Sequence, residues 1–74
     1  MELLVEIQVK NFDAFERFEK QACAIMRQYG GVIKHAYELE RHRDGSGMEC
    51  HIVSFNSSQD FTDYQNDFNL KALS

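Results

Sequence analysis

The 74 residues carry 8 Lys or Arg against 12 Asp or Glu, a formal charge of −4, and a chain this short buries surface enough for one core only, so residues 1–74 read as a single domain. Acids and bases are interleaved, with no basic stripe to neutralise successive phosphates, which argues against a nucleic-acid partner; no apolar run approaches the ~20 residues of a bilayer-spanning helix, which argues against a membrane. Cys23 and Cys50 lack the spacing of a redox or zinc pair and no signal-like segment precedes the first apolar run, so the expectation is a cytoplasmic chain without disulfides.

From Glu2 to Lys10 the pattern alternates. Leu3, Val5, Ile7 and Val9 fall on one side and Glu2, Glu6, Gln8 and Lys10 on the other, interrupted by Leu4, which predicts a strand with one dry face. The period then changes: Phe15, Phe18, Ala22, Ile25, Met26 and Tyr29 recur at three- and four-residue steps, the apolar stripe of a helix about five turns long. Either Asn11 caps this helix, or Asp13 does so with Glu16 as its reciprocal partner. Gly30 suits the left-handed residue that ends a helix, and Gly31 lets the chain turn back.

Val32 to Arg41 and Met48 to Phe55 are predicted strands, joined through Arg43-Asp44-Gly45-Ser46-Gly47, whose Asp-Gly suits a tight hairpin. Both are apolar on two faces. Ile33, Tyr37 and Leu39 oppose Val32 and Ala36, and Val53 and Phe55 oppose Met48, Cys50 and Ile52, so each strand expects cover on both sides. Ser57-Ser58-Gln59-Asp60 then opens a second helix, with Phe61, Tyr64, Phe68 and Ala72 along one face.

The order β-α-β-β-α predicts an α+β domain of ferredoxin-like topology, with a three-stranded antiparallel or mixed sheet ordered 2-3-1. A right-handed crossover puts both helices on one face. The helix-free face is then left for a second copy of the chain. In this size range a single core rarely supplies more than ~3–5 kcal/mol, and association is the remedy that remains once disulfides and metals are set aside.

Three segments carry a family likeness: Val9-Lys10-Asn11-Phe12-Asp13-Ala14-Phe15 entering the first helix, Tyr29-Gly30-Gly31-Val32-Ile33 leaving it, and Val53-Ser54-Phe55-Asn56-Ser57-Ser58 entering the second. Together they resemble small bacterial proteins of the dimeric alpha/beta-barrel superfamily, above all its domain-of-unknown-function members, over nearly the whole chain. The resemblance implies a homodimer whose sheets face each other to make a barrel. Family members commonly carry more chain after the second helix, so the resemblance implies either a version shortened at the C-terminus or a fragment of a longer protein; the turn reads Phe55-Asn56-Ser57 where Phe-Pro-Ser is common. The wider superfamily includes monooxygenases acting on quinols or haem, but no residue here matches their catalytic motifs, and fold alone does not transfer function.

Among candidate site residues, His35 and His51 come first. On neighbouring antiparallel strands His35, Tyr37 and Leu39 are expected to share a face with His51, Val53 and Phe55, bringing both imidazoles into one pocket between sheet and helices, where histidine can act as acid, base or ligand. Tyr37 is the third catalytic candidate; Tyr64 and Phe55 are the candidate ligand contacts. Glu38 and Glu40 are expected on one partner-facing row with Lys34 and Cys50, as rim residues or inter-subunit ion pairs. A metal needs three or four converging ligands, and none is expected here, nor any cofactor. Both cysteines read as small buried hydrophobes, His42 with Arg41 and Arg43 as a solvated charge cluster, and Phe12, Phe15, Phe18, Phe61 and Phe68 as core.

The functional expectation is a homodimeric module holding a small apolar ligand between sheet and helices. The alternatives are a cofactor-free monooxygenase- or isomerase-like enzyme using His35 or His51, and a structural or regulatory subunit.

Overall fold

The computed structural model describes residues 1–73 and runs β1 (Glu2–Val9), α1 (Phe12–Gln28), β2 (Val32–Arg41), β3 (Gly47–Ser54), α2 (Ser58–Gln65) and α3 (Phe68–Leu73). The strands form one sheet ordered β1-β3-β2, the order read from the sequence, and both outer strands pair antiparallel with β3. The architecture is therefore α+β, with β1 and β2 parallel to each other and β3 between them. No helix among the described residues is long and apolar enough to cross a membrane.

Asn11, not Asp13, caps α1. Its backbone is extended (φ −153°) and its side chain accepts from the Ala14 N–H at 3.0 Å, while Asp13 sits in the first turn near the positive helix end. The Phe12 N–H donates to the Gly45 carbonyl at 2.8 Å, which ties the β2–β3 turn to the start of α1. At the other end the N–H groups of Gly30 and Gly31 donate to the carbonyls of Arg27 and Met26 as Gly30 takes φ 73°. Gly31 is required for space: a Cβ there would run into the Phe55 ring and the Met26 side chain.

Within the hairpin only Gly45 of the Asp-Gly pair has a positive φ, 89°. Its N–H donates to the His42 carbonyl at 3.1 Å, and the His42 N–H donates to the Ser46 carbonyl at 2.8 Å. That is a three-residue loop closed by a left-handed glycine. Asp44 contributes through its carboxylate, which accepts from both the backbone N–H and the hydroxyl of Ser46.

The core centres on Met26, Val53 and Phe55, against which Leu3, Val5, Tyr29, Ile33, Phe61 and Tyr64 pack. Phe55 meets Phe61 edge-on with ring centroids 5.3 Å apart and Tyr64 at 5.6 Å, separations at which aromatic pairs attract beyond their area burial. Phe12 is buried as expected. Phe68 is not: it is 83 % exposed. The second helix breaks at Asn66-Asp67, so the stripe Phe61, Tyr64, Phe68, Ala72 is interrupted and Leu70 and Leu73 become the half-buried residues of α3. The cause is local competition for backbone donors. One oxygen of Asp67 accepts from the N–H groups of Asn69 and Leu70, starting a new helix, while the other accepts from the Tyr29 hydroxyl at 2.5 Å.

Two β-bulges in β2 reset the faces of that strand. Ile33 pairs with Val53 on the helix-packed side, but past Lys34 the register gives His35 opposite Ile52, Ala36 opposite His51 and Tyr37 opposite Cys50. Directly opposed residues share a face, so His35 and Tyr37 lie on the helix-free side and Ala36 on the other. The second irregularity, at Leu39, places Glu38 opposite Glu49 and Glu40 opposite Met48, which separates the two glutamates onto opposite faces. The shared pocket expected for His35 and His51, and the shared row expected for Glu38 and Glu40, are both corrected by these extra residues.

The Asp67 carboxyl is held below its ordinary range, first by the Tyr29 hydroxyl and then by the backbone N–H groups of Leu70 and Asn69. A group whose folded value is depressed stabilises the fold above its unfolded value, about 3.9, and loses that contribution as pH falls through the folded one. Asp67→Asn keeps an N-cap without the charge. It is expected to flatten the stability profile below about pH 4, read from urea midpoints between pH 2 and 5; a wild-type profile as flat as the variant's contradicts this role.

Candidate functional site

Alternation along β3 sends Glu49, His51 and Val53 to the helix-packed side, where Val5 of β1 and Ala36 of β2 flank His51. In α1, Glu19 falls four residues after Phe15, three before Ala22 and seven before Met26, so it occupies a position of the apolar stripe and is carried down onto the same patch of sheet. The three polar residues meet there. His51 is 3 % exposed; its Nε2–H donates to Glu49 Oε1 at 2.7 Å, and Nε2 lies 3.4 Å from Glu19 Oε2. The Phe15 ring closes over the imidazole at 6.2 Å between centroids.

Glu19 Oε2 is buried and has no hydrogen-bond partner among the described residues. Burial pushes the Glu19 carboxyl above its ordinary range; His51 opposes the shift, and the charges of Glu49 and Glu16 add to it. A carboxylate oxygen out of water and without a donor is destabilising, so this position gives up stability that an apolar residue would supply.

The cluster opens on a cavity of about 230 Å3 between the sheet and helices α1 and α2. Its walls are mainly apolar, with Phe15, Phe18 and Met26 from α1, Val5 and Val53 from the sheet, and Phe61 from α2; Glu19, His51, Tyr64 and Gln65 add polar groups. Three of the five site residues expected from sequence are here, His51, Phe55 and Tyr64. His35 and Tyr37 are not. They stack on each other at 6.0 Å on the exposed helix-free face, where the bulge at Lys34 turns them.

Cys23 also lines the cavity, its thiol pushed up by burial and then by Glu19; burial likewise raises the Tyr64 phenol, with Cys23 adding to it. Neither group is set up as a nucleophile. Cys50 is on the opposite face, across from Tyr37. Sequence reasoning missed Glu19 and Glu49. The legible signal for Glu19 was a charge standing in register with the stripe of its own helix; for Glu49 it was a second ionisable residue two positions from His51, hence on its face.

No protein-family model, curated protein or solved structure matches the chain.

Glu19→Met continues the stripe and removes the unpaired oxygen. It is expected to stabilise the protein by about 1 kcal/mol or more, the lower end of what burying an unpaired polar group costs, measured as a shift in the urea midpoint. A destabilised variant would mean that Glu19 already holds a stabilising partner.

Proposed function

We propose that this chain is a small-molecule-binding module of the dimeric alpha/beta-barrel kind, a ferredoxin-like unit whose ligand sits between sheet and helices. The carrying observation is an apolar cavity of about 230 Å3 that presents one buried, donor-less carboxylate oxygen, Glu19 Oε2. A dry cavity of ~150 Å3 already accepts benzene, and drug-sized ligands need ~300 Å3 or more, so the matching molecule is a single substituted ring. Its polar group is an O–H or N–H that donates to Glu19, with the His51 and Glu49 pair bracing that oxygen from the sheet side.

Phenol and toluene separate this reading from simple cavity filling. Titrated into the protein and followed by aromatic and methyl NMR signals of the cavity walls, phenol is expected to bind at least tenfold more tightly than toluene. Glu19→Met is expected to erase that preference. Equal binding of both by the wild type, or binding of neither, removes the proposal.

Pairing of two copies through the helix-free face is supported by its composition. Leu4, Val32 and Tyr37 are 66 %, 51 % and 50 % exposed there, beside half-buried Met48, Cys50 and Ile52 and among Glu2, Glu6, His35 and Glu40; exposed apolar side chains set among polar ones are of the kind that marks an interaction surface. Light scattering at micromolar concentration is expected to give a dimer. The double variant Leu4→Glu, Tyr37→Glu is expected to give a folded monomer with unchanged circular dichroism; a folded wild-type monomer overturns the pairing.

The 2.7 Å hydrogen bond between His51 and Glu49 favours a second reading, a cofactor-free enzyme. In it the carboxylate fixes the imidazole orientation and the imidazole moves a proton on a substrate held in the cavity. The sequence candidate His35 has no part in it, since it lies on the other side of the sheet.

A further inference from the structure

Around His51 Nε2 one donor atom from each of Glu19, Glu49 and His51 falls within 4.8 Å of the others. Two of the separations are 2.7 Å, to Glu49 Oε1, and 3.4 Å, to Glu19 Oε2. The ligands come from two elements, α1 and the central strand β3, and His51, at their centre, is almost fully buried.

With Glu19 ionised, the three residues leave one carboxylate oxygen without a hydrogen-bond donor. Nε2 carries at most one hydrogen, and Glu49 accepts it. A second proton on the imidazole goes to Nδ1 and leaves Glu19 Oε2 still without a donor. His51 draws the Glu19 carboxyl toward its charged form, while burial and the charges of Glu49 and Glu16 oppose it. A cation seated where the Nε2 hydrogen now points bonds all three atoms at once, with the imidazole proton moving to Nδ1.

We propose that Glu19, Glu49 and His51 bind a divalent first-row transition ion, best matched by Zn2+, with its remaining position open to the cavity. The imidazole nitrogen is a borderline donor that suits zinc, which also takes carboxylate oxygens; calcium and magnesium favour all-oxygen shells. Zinc bonds of ~2.0–2.2 Å separate tetrahedral ligands by about 3.4 Å, so the two short distances need only small side-chain adjustments. Three protein ligands with a fourth position left free is the pattern of zinc sites that engage a small molecule. The ion occupies the cavity of the ligand-binding reading, on which this inference rests, and would stand between Glu19 and the ligand's polar group. Titration with the metal alone keeps the two apart: its failure leaves the phenol preference standing or falling separately.

Chelator-treated protein titrated with zinc chloride in a calorimeter is expected to take up one ion per chain with micromolar or tighter affinity. Cobalt(II) in its place is expected to give visible d–d absorption of a four- or five-coordinate site. Glu19→Gln is expected to weaken zinc at least tenfold and bleach the cobalt bands, while keeping the circular dichroism of the wild type because Glu19 is one-third exposed on its helix. His51→Gln is expected to abolish both signals; Glu19→Gln decides alone if that variant does not fold. Zinc uptake unchanged in Glu19→Gln would assign the ion to surface histidines such as His42, which lies 3.3 Å from Glu40, and would overturn the proposal. So would the absence of uptake by the wild type.

Discussion

β3 makes backbone hydrogen bonds along both of its edges, and that double pairing sets the rest of the molecule. A strand bonded on two sides cannot slip by one residue without turning every side chain to the wrong face, so Glu49, His51 and Val53 are committed to the helices, and Met48, Cys50 and Ile52 to the opposite side. Val53 anchors the core with Met26 and Phe55. His51, two residues earlier on the same face, is carried into the interior by the same register.

Much of this was legible from residue spacing. The alternation from Glu2 to Val9, the α1 stripe and the Gly30-Gly31 stop arise from periodicity and turn chemistry, because in those segments local preference and tertiary packing agree, and the strand order follows from the succession of elements. The misplaced residues are those where one extra position changes the outcome. Lys34 and Leu39 look like ordinary members of an alternating strand, and only pairing with β3 shows that each is an inserted residue that flips the positions after it. His35 and Tyr37 thereby leave the pocket that a regular strand would have given them. Asp67 is a similar case: a cap inside a helical pattern whose decisive partner, Tyr29, lies 38 positions away in the chain.

Glu19 shows why the site was harder to read than the fold. An amphipathic stripe is judged by its apolar members, and a single acid within it looks like a boundary of the pattern. Physically it is the reverse. Placing a carboxylate against Phe15, Ala22 and a buried histidine is unfavourable in a 74-residue domain with little stability to spare. Departures from local rules of this kind are where binding or chemistry is expected, since packing alone would have selected leucine or methionine.

The sheet also connects the two surfaces on which the proposals rest. Cys50 and His51 are consecutive residues of β3 facing opposite ways, and Tyr37 beside Cys50 belongs to the exposed patch. A second copy seated on that patch would hold β3 and its neighbours against fluctuation from the helix-free side, and the same backbone sets the orientation of Glu49 and His51 beneath α1. Bound groups that must be aimed to within a fraction of an ångström gain from such bracing. Sheet pairing and site geometry thus act on one strand: the surface that a lone chain leaves uncovered is the reverse side of the element carrying the buried His51.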